Sequence, residues 1–410
     1  MSKKSTYNAS FFDSFLQTRL SGLPIAFGFL VGTKVRDGQR DVVYAAPTPL
    51  QPVEEGDEEP LKDIVAILKA KSSVQKSFTK WANQYQLALR KLLPGNIEPC
   101  GCFIAASESV AKDLAPALAP IMKSIGQPLL LTLDGKLTFW NYAAEGAKVT
   151  LRPAQLKQDT HKDALLVCTT VLVDLVAPRS LEAEDADNTE SFSKGTETSV
   201  DTHLKNCIVG ISANESPLRI LNLSSESTLA DVAPKGCTEL RMAFMQNGPS
   251  LIHAPNPDDL PCFRQRCIVV ASALCLRRDI EARDIVEELR NAVVSSAGAR
   301  IQLVLEESDG FLGRLDMPWR ALCRPRDVDL PFWCGDYCMP DEGIESAHSR
   351  LGELLGHTDF EVASENLDEY KLLQQNFPSS YKPVAAAKEA TPRATTSGSS
   401  LFGFCCKRRD

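Results

Sequence analysis

Apolar residues in the first third of the chain form short continuous runs that alternate with segments of helical spacing. Leu23–Gly32 and Asp41–Ala46 are two such runs, and the polar segment between them has Asp37 and Gly38 at its centre. An Asp-Gly pair between apolar runs is a good β-hairpin signal, because these residues accommodate the backbone of a tight turn. The pattern therefore predicts a hairpin near the N-terminus.

A long helix and a buried strand are predicted next. Residues 61–93 have apolar positions at helical spacing, and Pro94-Gly95 ends the helix, since proline cannot continue one and glycine closes it easily. Cys100–Ala106 is an apolar run bounded by turn residues, which is typical of a strand buried on both faces. If this part of the chain performs chemistry, the end of that strand is the place to look.

The rest of the chain continues with strands and a few helices. Residues 107–125 predict a helix capped by Ser107 or Ser109, in which Pro116 and Pro120 bend or shorten the helix. A second hairpin is predicted around Asp134-Gly135. Further strands are predicted over 164–176, 206–212, 218–223 and 267–276, and further helices over 280–296 and 342–355, the last one followed by Gly356.

The fold class that these elements predict is α+β (mixed α/β), with mixed sheets. We expect a first domain over residues 1–150, with a short amphipathic helix over 8–20, and a second mixed α+β domain over 151–372. The acidic segment 180–202 has almost no apolar residues and is predicted to be a disordered loop. Residues 373–410 are predicted to form a disordered tail.

Composition narrows the function classes. The 410 residues carry a formal net charge of -8, with a pI near 5.4, which argues against a nucleic-acid partner. The thirteen cysteines are an odd number, and Met1-Ser2 opens a polar segment, so we expect free thiols in a reducing, cytoplasmic setting. No window approaches the roughly 20 apolar residues of a transmembrane helix, so none is predicted.

The residue pattern gives little evidence for a metal site or a cofactor site. The five histidines do not form a metal-binding pair, and we expect them to be exposed or locally hydrogen-bonded. Cys100 and Cys102 are predicted to share one face of a strand, and Cys334 and Cys338 lie near a turn, but these spacings do not match a zinc site. We expect no metal, no cofactor and no small-molecule substrate. The sequence leaves open whether the fold brings a cysteine next to a base, where its thiol would act as a catalytic nucleophile.

A glycine pair in the first predicted strand requires separate consideration. Gly28-Phe-Leu-Val-Gly32 lacks the Lys-Ser/Thr ending of a P-loop and the third glycine of a dinucleotide fingerprint. Glycine inside a strand more often permits close packing, and we therefore expect no nucleotide site here.

The C-terminal tip is the best candidate for a modified segment. Cys405 and Cys406 lie between an apolar triplet and the three cations Lys407, Arg408 and Arg409. Adjacent thiols of this kind are candidates for S-palmitoylation, and the cations add attraction to anionic lipid. Two acyl chains, or one chain with a basic patch, suffice for stable anchoring. The alternative is a disordered tip without a function.

Several blocks of the sequence together resemble a known family. They are SGLPIAFGFLVG at 21–32, VVYAAPTP at 42–49, Trp81-Ala82, LLPG at 92–95, GCFI at 101–104, and later 267–273, 279–298, 326–331, CGDY at 334–337 and Asp341-Glu342. In this order and spacing, over about 20–365, they resemble the odorant-response-abnormal-four (ODR-four) family.

The resemblance implies an accessory protein that is not an enzyme. Members of that family associate with the endoplasmic reticulum, take part in the folding, trafficking and localisation of certain G-protein-coupled receptors, and anchor a ubiquitin-fold-modifier-specific protease. They usually end in one transmembrane helix, which is not predicted here, and the Cys405-Cys406 tail could substitute for it. The expected location is thus cytoplasmic, peripherally attached to the endoplasmic reticulum or another endomembrane.

A more distant resemblance concerns the first domain. Gly28 and Gly32, a following helix and a strand with Gly101 are similar to the start of an MPN (JAMM-type) domain. In metalloprotease members two zinc-binding histidines follow the later glycine, and their places fall near Ile104 and Ala106, which cannot bind a metal. This implies an MPN-like pseudo-enzyme that docks a protease partner.

Three hypotheses result from the sequence. The first is a non-catalytic adaptor at a cytosolic membrane face, with a protein partner that is either the protease or a receptor client. The second is a thiol-dependent hydrolase that uses one of the cysteines. The third is a soluble scaffold protein that never touches a membrane.

Overall fold

The structure of the chain is a computed structural model. It describes residues 6–8, 27–34, 39–48, 64–69, 72–104, 106–125, 128–133, 137–145, 148–157, 164–178, 186–213, 216–223, 226–245, 262–307, 317–328, 330–363 and 368–376. The helix predicted over 8–20 lies outside the described residues except for Asn8, and so does the tail beyond Asn376.

The N-terminal part of the chain builds a mixed sheet. Its strands are β1 Thr6–Asn8, β2 Phe27–Thr33, β3 Gln39–Pro47, β4 Ile97–Ile104, β5 Leu129–Leu133, β6 Leu137–Glu145, β7 Lys148–Pro153 and β8 Gln155–Lys157. They lie in the order β7-β6-β5-β4-β2-β3-β1-β8. The two predicted hairpins are confirmed, because β2 pairs with β3 and β5 with β6 in antiparallel register. The sheet continues to Lys157, beyond the predicted domain boundary at 150.

Helices cover one face of this sheet. They are α1 Ile64–Lys69, α2 Ser72–Leu92, α3 Glu108–Leu114, a 3-10 turn over Ala115–Leu118, and α4 Ala119–Met122. The predicted cap is confirmed at Ser107, whose side chain accepts a hydrogen bond from the Val110 amide. Pro116 and Pro120 each sit in the first turn of the next short helix, where their missing N–H is tolerated, and they divide the predicted helix.

Aromatic rings join α2 to the sheet. The ring of Phe29 stacks on that of Tyr85 with centroids 5.8 Å apart, and Phe27 meets Phe78 edge-on at 5.2 Å. A Cβ atom on Gly28 would lie 2.2 Å from the Ala46 carbonyl oxygen, so this position requires glycine for close strand packing. The interpretation of Gly28 as a packing residue is confirmed.

The middle of the chain builds a second sheet. Its strands are β9 Leu165–Pro178, β10 Ile208–Ala213, β11 Arg219–Ile220, β12 Glu239–Met245 and β13 Cys262–Cys275, in the order β11-β10-β12-β9-β13. The short helix α6 Leu229–Val232 begins with a capping box formed by Thr228 and Asp231. The long helix α7 Ala282–Glu307 packs across one face, with Val293, Ala297 and Ile301 in its buried cluster.

The predicted disordered loop over 180–202 is wrong for most of its length, because α5 spans Ala186–Lys205. Val200 and Leu204 lie four residues apart, one turn of helix, and are both buried against α7. Asp201 pairs with Arg290 of α7 at 3.0 Å. Two apolar residues on a polar helix suffice when a neighbouring helix covers them, and this contact is not visible in the composition.

The C-terminal part adds a third, three-stranded sheet. Its strands are β14 Trp319–Pro325, β15 Cys334–Cys338 and β16 Phe360–Val362, with helices α8 Ile344–Leu355 and α9 Glu369–Asn376. Gly356 closes α8 in the left-handed conformation, with φ of 70°, as the sequence predicts. Since α9 runs to Asn376, residues 373–376 of the predicted tail are helical.

The predicted domains share one large hydrophobic core. The Tyr85 hydroxyl of α2 donates to the Leu354 carbonyl of α8 at 2.5 Å, and the Tyr44 hydroxyl of β3 donates to the Leu355 carbonyl at 3.3 Å. The third sheet and α8 therefore pack directly on the N-terminal sheet and its helices. Helices, two mixed sheets and one antiparallel sheet confirm the α+β class. In the described ranges, no helix combines the length and hydropathy needed to cross a membrane.

A buried ion pair ties the C-terminal elements together. Arg300 of α7 and Glu369 of α9 are both inaccessible to solvent, and Nη2 of Arg300 lies 2.6 and 2.8 Å from the two Glu369 oxygens. The same carboxylate accepts the backbone N–H groups of Val270 at 2.7 Å and Arg320 at 2.6 Å. We call these four residues the Glu369 network. Burial lowers the pKa of Arg300, but the charge of Glu369, the hydrogen bond to it and the neighbouring groups together outweigh this effect and raise the pKa, so the guanidinium stays charged.

Replacing Glu369 by Gln should lower the free energy of unfolding by about 3–5 kcal/mol, because it leaves the Arg300 charge buried without a counter-charge. Denaturant titration of the full chain measures this loss. Replacing both residues, Arg300→Met with Glu369→Leu, should recover part of it. Glu353→Gln, on the exposed side of α8, is the control and should change stability by less than about 0.5 kcal/mol. A loss below about 1 kcal/mol in Glu369→Gln would contradict this role of the pair.

Candidate functional site

The two positions that match metal ligands in the MPN resemblance hold apolar side chains in the core. Ile104 ends β4 and is fully buried, and Ala106 packs against the same cluster two residues later. The Ala106 N–H donates to the Ile104 carbonyl at 3.0 Å. Elsewhere in the described ranges, no three His, Cys, Asp or Glu side chains are grouped to hold a metal ion.

The prediction that Cys100 and Cys102 share one face of β4 is wrong. Leu30 of β2 pairs with Gly101, but the next residue, Val31, pairs with Pro99, so Cys100 is the extra residue of a β-bulge. The bulge turns Cys100 to the face that carries Leu30, whereas Cys102 packs in the large core on the other face. Two-residue spacing predicts a common face only for a regular strand.

The thiols in the described part of the chain are buried and free, at Cys100, Cys102, Cys168, Cys207, Cys237, Cys267, Cys275, Cys323, Cys334 and Cys338. Burial raises the pKa of Cys100, Cys168, Cys334 and Cys338 to about 12 each, although Arg40 opposes the rise at Cys100. Burial also raises the pKa values of Cys102 and Cys323. These thiols stay protonated at neutral pH, which opposes nucleophilic chemistry.

His357 is hydrogen-bonded within the fold, but its partners lie far from it in the sequence. Its ring is buried, with Nδ1 2.7 Å from an Asp327 carboxylate oxygen and Nε2 2.9 Å from the Tyr44 hydroxyl. His348 stacks on Phe360 with ring centroids 5.6 Å apart. Both side chains hold α8 and the residues after it in place.

An apolar strip lies on the face of the second sheet opposite α7. It consists of Leu172, Ile208, Leu218 and Ile220, which are 48, 39, 48 and 73% exposed. Strand alternation explains the shared face, since Val171, Val173, Val209 and Ile211 point into the cores on the other side. Ile220 pairs with Gly210 across β10 and β11, and Leu218 lies over the same glycine.

The turn at residues 94–96 fastens the N-terminal sheet to the second sheet and to α7. Gly95 donates its N–H to the Ser272 carbonyl at 2.7 Å, and Asn96 donates its Nδ2 to the Leu274 carbonyl at 2.8 Å. Asn96 adopts φ of 66°, which asparagine tolerates better than most residues. The sequence marks Pro94-Gly95 as a helix stop, but its contacts with β13 are visible only in the structure.

A cleft of about 290 Å³ lies beside this turn, where the N-terminal sheet, α7 and the third sheet meet. Its wall is formed by cationic and polar side chains from these three units and from α2, including Lys34, Arg90, Lys91, Glu288, Arg320 and Tyr337. Lys34 pairs with Glu288 of α7 at 2.7 Å. Sequence reasoning missed this cleft, because its residues come from segments that lie far apart along the chain.

Comparisons with known proteins find a distant structural likeness and no family. No protein-family model matches the chain, and no curated protein matches it. Among solved structures the chain is similar to the crystal structure of UfSP from C. elegans, with a TM-score of 0.46 and 12% sequence identity. The alignment covers 87% of this chain and 57% of that one, so the chain spans just over half the length of that protein. The fold class rests on the chain's own strands and helices, and this likeness adds no function to it.

We expect Cys100, Cys168, Cys334 and Cys338 to react slowly with iodoacetamide in the native full-length chain at pH 8. A pKa of about 12 leaves roughly one thiol in 10,000 as the reactive thiolate at that pH. Peptide mass spectrometry would quantify labelling at each site. The guanidinium-unfolded chain is the control and should be labelled at all four positions within minutes. Rapid native labelling at one of them would favour the thiol hydrolase hypothesis.

Proposed function

We propose that this chain is a non-catalytic adaptor that acts in protein localisation and trafficking at the endoplasmic reticulum. Its partners are a ubiquitin-fold-modifier-specific protease, which it docks, and membrane-receptor clients. The sequence blocks that resemble the ODR-four family support the choice of partner. The apolar strip is the structural observation that supports protein docking.

The apolar strip has the chemistry of a protein-binding surface. Large aliphatic side chains that stay 39–73% exposed on one sheet face cost free energy in water, and covering them recovers on the order of 1 kcal/mol each. Contiguous apolar patches of this kind mark interaction surfaces in soluble proteins. Arg241, exposed on β12 next to the strip, supplies a polar rim for such an interface.

The burial of the described thiols argues against the main alternative, a thiol-dependent hydrolase. A thiol hydrolase needs a cysteine with a lowered pKa and access to substrate. The described cysteines are buried, and the resolved shifts of their pKa values are upward. A thiol enzyme would therefore have to use a cysteine outside this set.

The C-terminal tip provides the proposed attachment to the membrane. Acylation of Cys405 and Cys406, with attraction of Lys407, Arg408 and Arg409 to anionic lipid, would hold the adaptor at the cytosolic face of an endomembrane. Without the acyl groups the chain would behave as the soluble scaffold of the third hypothesis. The tail therefore decides between those two hypotheses.

Charge placed in the apolar strip should weaken docking. The double variant Leu172→Glu with Ile220→Glu should raise the Kd for a purified ubiquitin-fold-modifier-specific protease by at least about tenfold, because two charges would be desolvated at the interface. Isothermal titration calorimetry with the full-length chain would measure the Kd. Leu87→Glu is the matched control, since Leu87 is 52% exposed on α2, away from the strip.

Two outcomes would contradict the adaptor proposal or its surface. If the unmodified chain does not bind the protease, the partner is wrong. If the double variant binds as tightly as the Leu87→Glu control, the strip is not the docking surface. Thermal unfolding of each variant confirms that the fold is intact before binding is compared.

Replacing Cys405 and Cys406 by Ser should move the chain from the membrane fraction to the soluble fraction of cells, because the acyl attachment sites are lost. Fractionation followed by immunoblotting measures the distribution, and hydroxylamine release of thioester-linked lipid identifies the modification. The control is Cys207→Ser, which removes a cysteine remote in sequence from the tail. An unchanged distribution in the double variant would favour the soluble scaffold.

A further inference from the structure

We propose that the cleft beside residues 94–96 binds the phosphoryl group of a small molecule, with Arg320 as its principal ligand. This inference concerns a surface that the adaptor role does not use. It follows from the burial and hydrogen bonding of Arg320, from the charges around the cleft, and from its size.

Arg320 is a buried cation without a carboxylate partner among the described residues. It is only 7% exposed, and within the described ranges its guanidinium donates one hydrogen bond, from Nη2 to the Lys91 carbonyl at 3.3 Å. Its Nε has no acceptor in the same ranges. Burying an unpaired charge is costly, so the folded chain gains stability when an anion enters the cleft.

The neighbours of Arg320 position the guanidinium but do not neutralise it. Its backbone N–H is fixed by Glu369 at 2.6 Å, and its guanidinium carbon lies 5.8 Å from the ring centroid of Tyr337. A Cβ atom on Gly335 would lie 2.1 Å from Nε, so the guanidinium packs closely on that glycine. Burial raises the pKa of the nearby Cys334 thiol to about 12, and this thiol therefore provides no negative charge.

The charges on the cleft wall favour an anion. Four cationic side chains line it, from Lys34, Arg90, Lys91 and Arg320, against two carboxylates, from Glu98 and Glu288. Glu288 forms an ion pair with Lys34 at 2.7 Å, and Glu98 forms one with Arg40 at 3.1 Å. The cleft is thus locally cationic in a chain whose net charge is -8.

The chemistry and size of the cleft indicate a phosphoryl group on a small molecule. The planar guanidinium of arginine can donate hydrogen bonds to two phosphate oxygens at once. The ammonium group of lysine is a point charge and lacks this geometry. The hydroxyl of Ser295 and the amide of Asn291 line the wall formed by α7 and can bond to hydroxyl groups of a ligand. A volume of about 290 Å³ admits a sugar phosphate or free phosphate.

Titration calorimetry of the full-length chain with inorganic phosphate and with ribose 5-phosphate tests the proposal. We expect saturable binding at one site, and tighter binding of ribose 5-phosphate identifies a phosphate ester as the ligand class. Equal affinity for the two probes assigns the cleft to free phosphate. The absence of saturable binding of both probes would overturn the proposal.

Matched variants locate the binding in the cleft. Arg320→Lys keeps the charge but removes the planar fork, and should raise the Kd at least about tenfold. Arg90→Ala, at an exposed position of the cleft, should raise it severalfold, and it keeps the test decisive if the buried variant does not fold. Lys80→Ala, exposed on the same helix α2 outside the cleft, should leave the Kd unchanged. Phosphate binding that is equal in Arg90→Ala and Lys80→Ala would overturn the proposal.

Discussion

The Glu369 carboxylate is the interaction on which the arrangement of the C-terminal half depends. Both of its oxygens are fully used, by the Arg300 guanidinium and by the backbone N–H groups of Val270 and Arg320. A single side chain thereby joins α9, α7, β13 and β14. A buried ion pair of this kind stabilises a fold only when its remaining hydrogen bonds are formed. Otherwise the free energy lost on removing two charges from water exceeds the gain from their attraction. Its completeness is the reason that four elements from distant parts of the chain meet in one geometry.

The same network prepares the cleft. By fixing the Arg320 backbone, Glu369 determines where the Arg320 side chain leaves β14 and therefore where its charge lies. Tyr337 contributes from the neighbouring strand, since its hydroxyl donates to Ser296 of α7 at 2.9 Å while its ring faces the guanidinium groups of Arg300 and Arg320. One of these two arginines has a buried carboxylate partner and the other faces the cleft without one among the described residues. This asymmetry separates an arginine that stabilises the fold from one that is available to a ligand.

The proposed docking surface and the proposed anion site are physically independent. The apolar strip occupies the outer face of the second sheet at β9, β10 and β11, and depends on strand alternation for its exposure. The cleft depends on the turn at 94–96, on α7 and on the third sheet.

By itself the sequence determined local structure. The hairpins, the buried strand β4, the helix cap at Ser107 and the glycine stop at Gly356 all follow from short-range sterics and hydrogen bonding, which act between near neighbours in the chain. The tertiary structure decided what depends on distant partners. It converted the acidic segment 186–205 into a helix because α7 covers Val200 and Leu204, and it separated Cys100 from Cys102 through a bulge set by the register with β2. The cleft belongs to the same class, since Lys34, Glu288 and Arg320 meet only after three sheets have packed together, and no local pattern encodes their proximity.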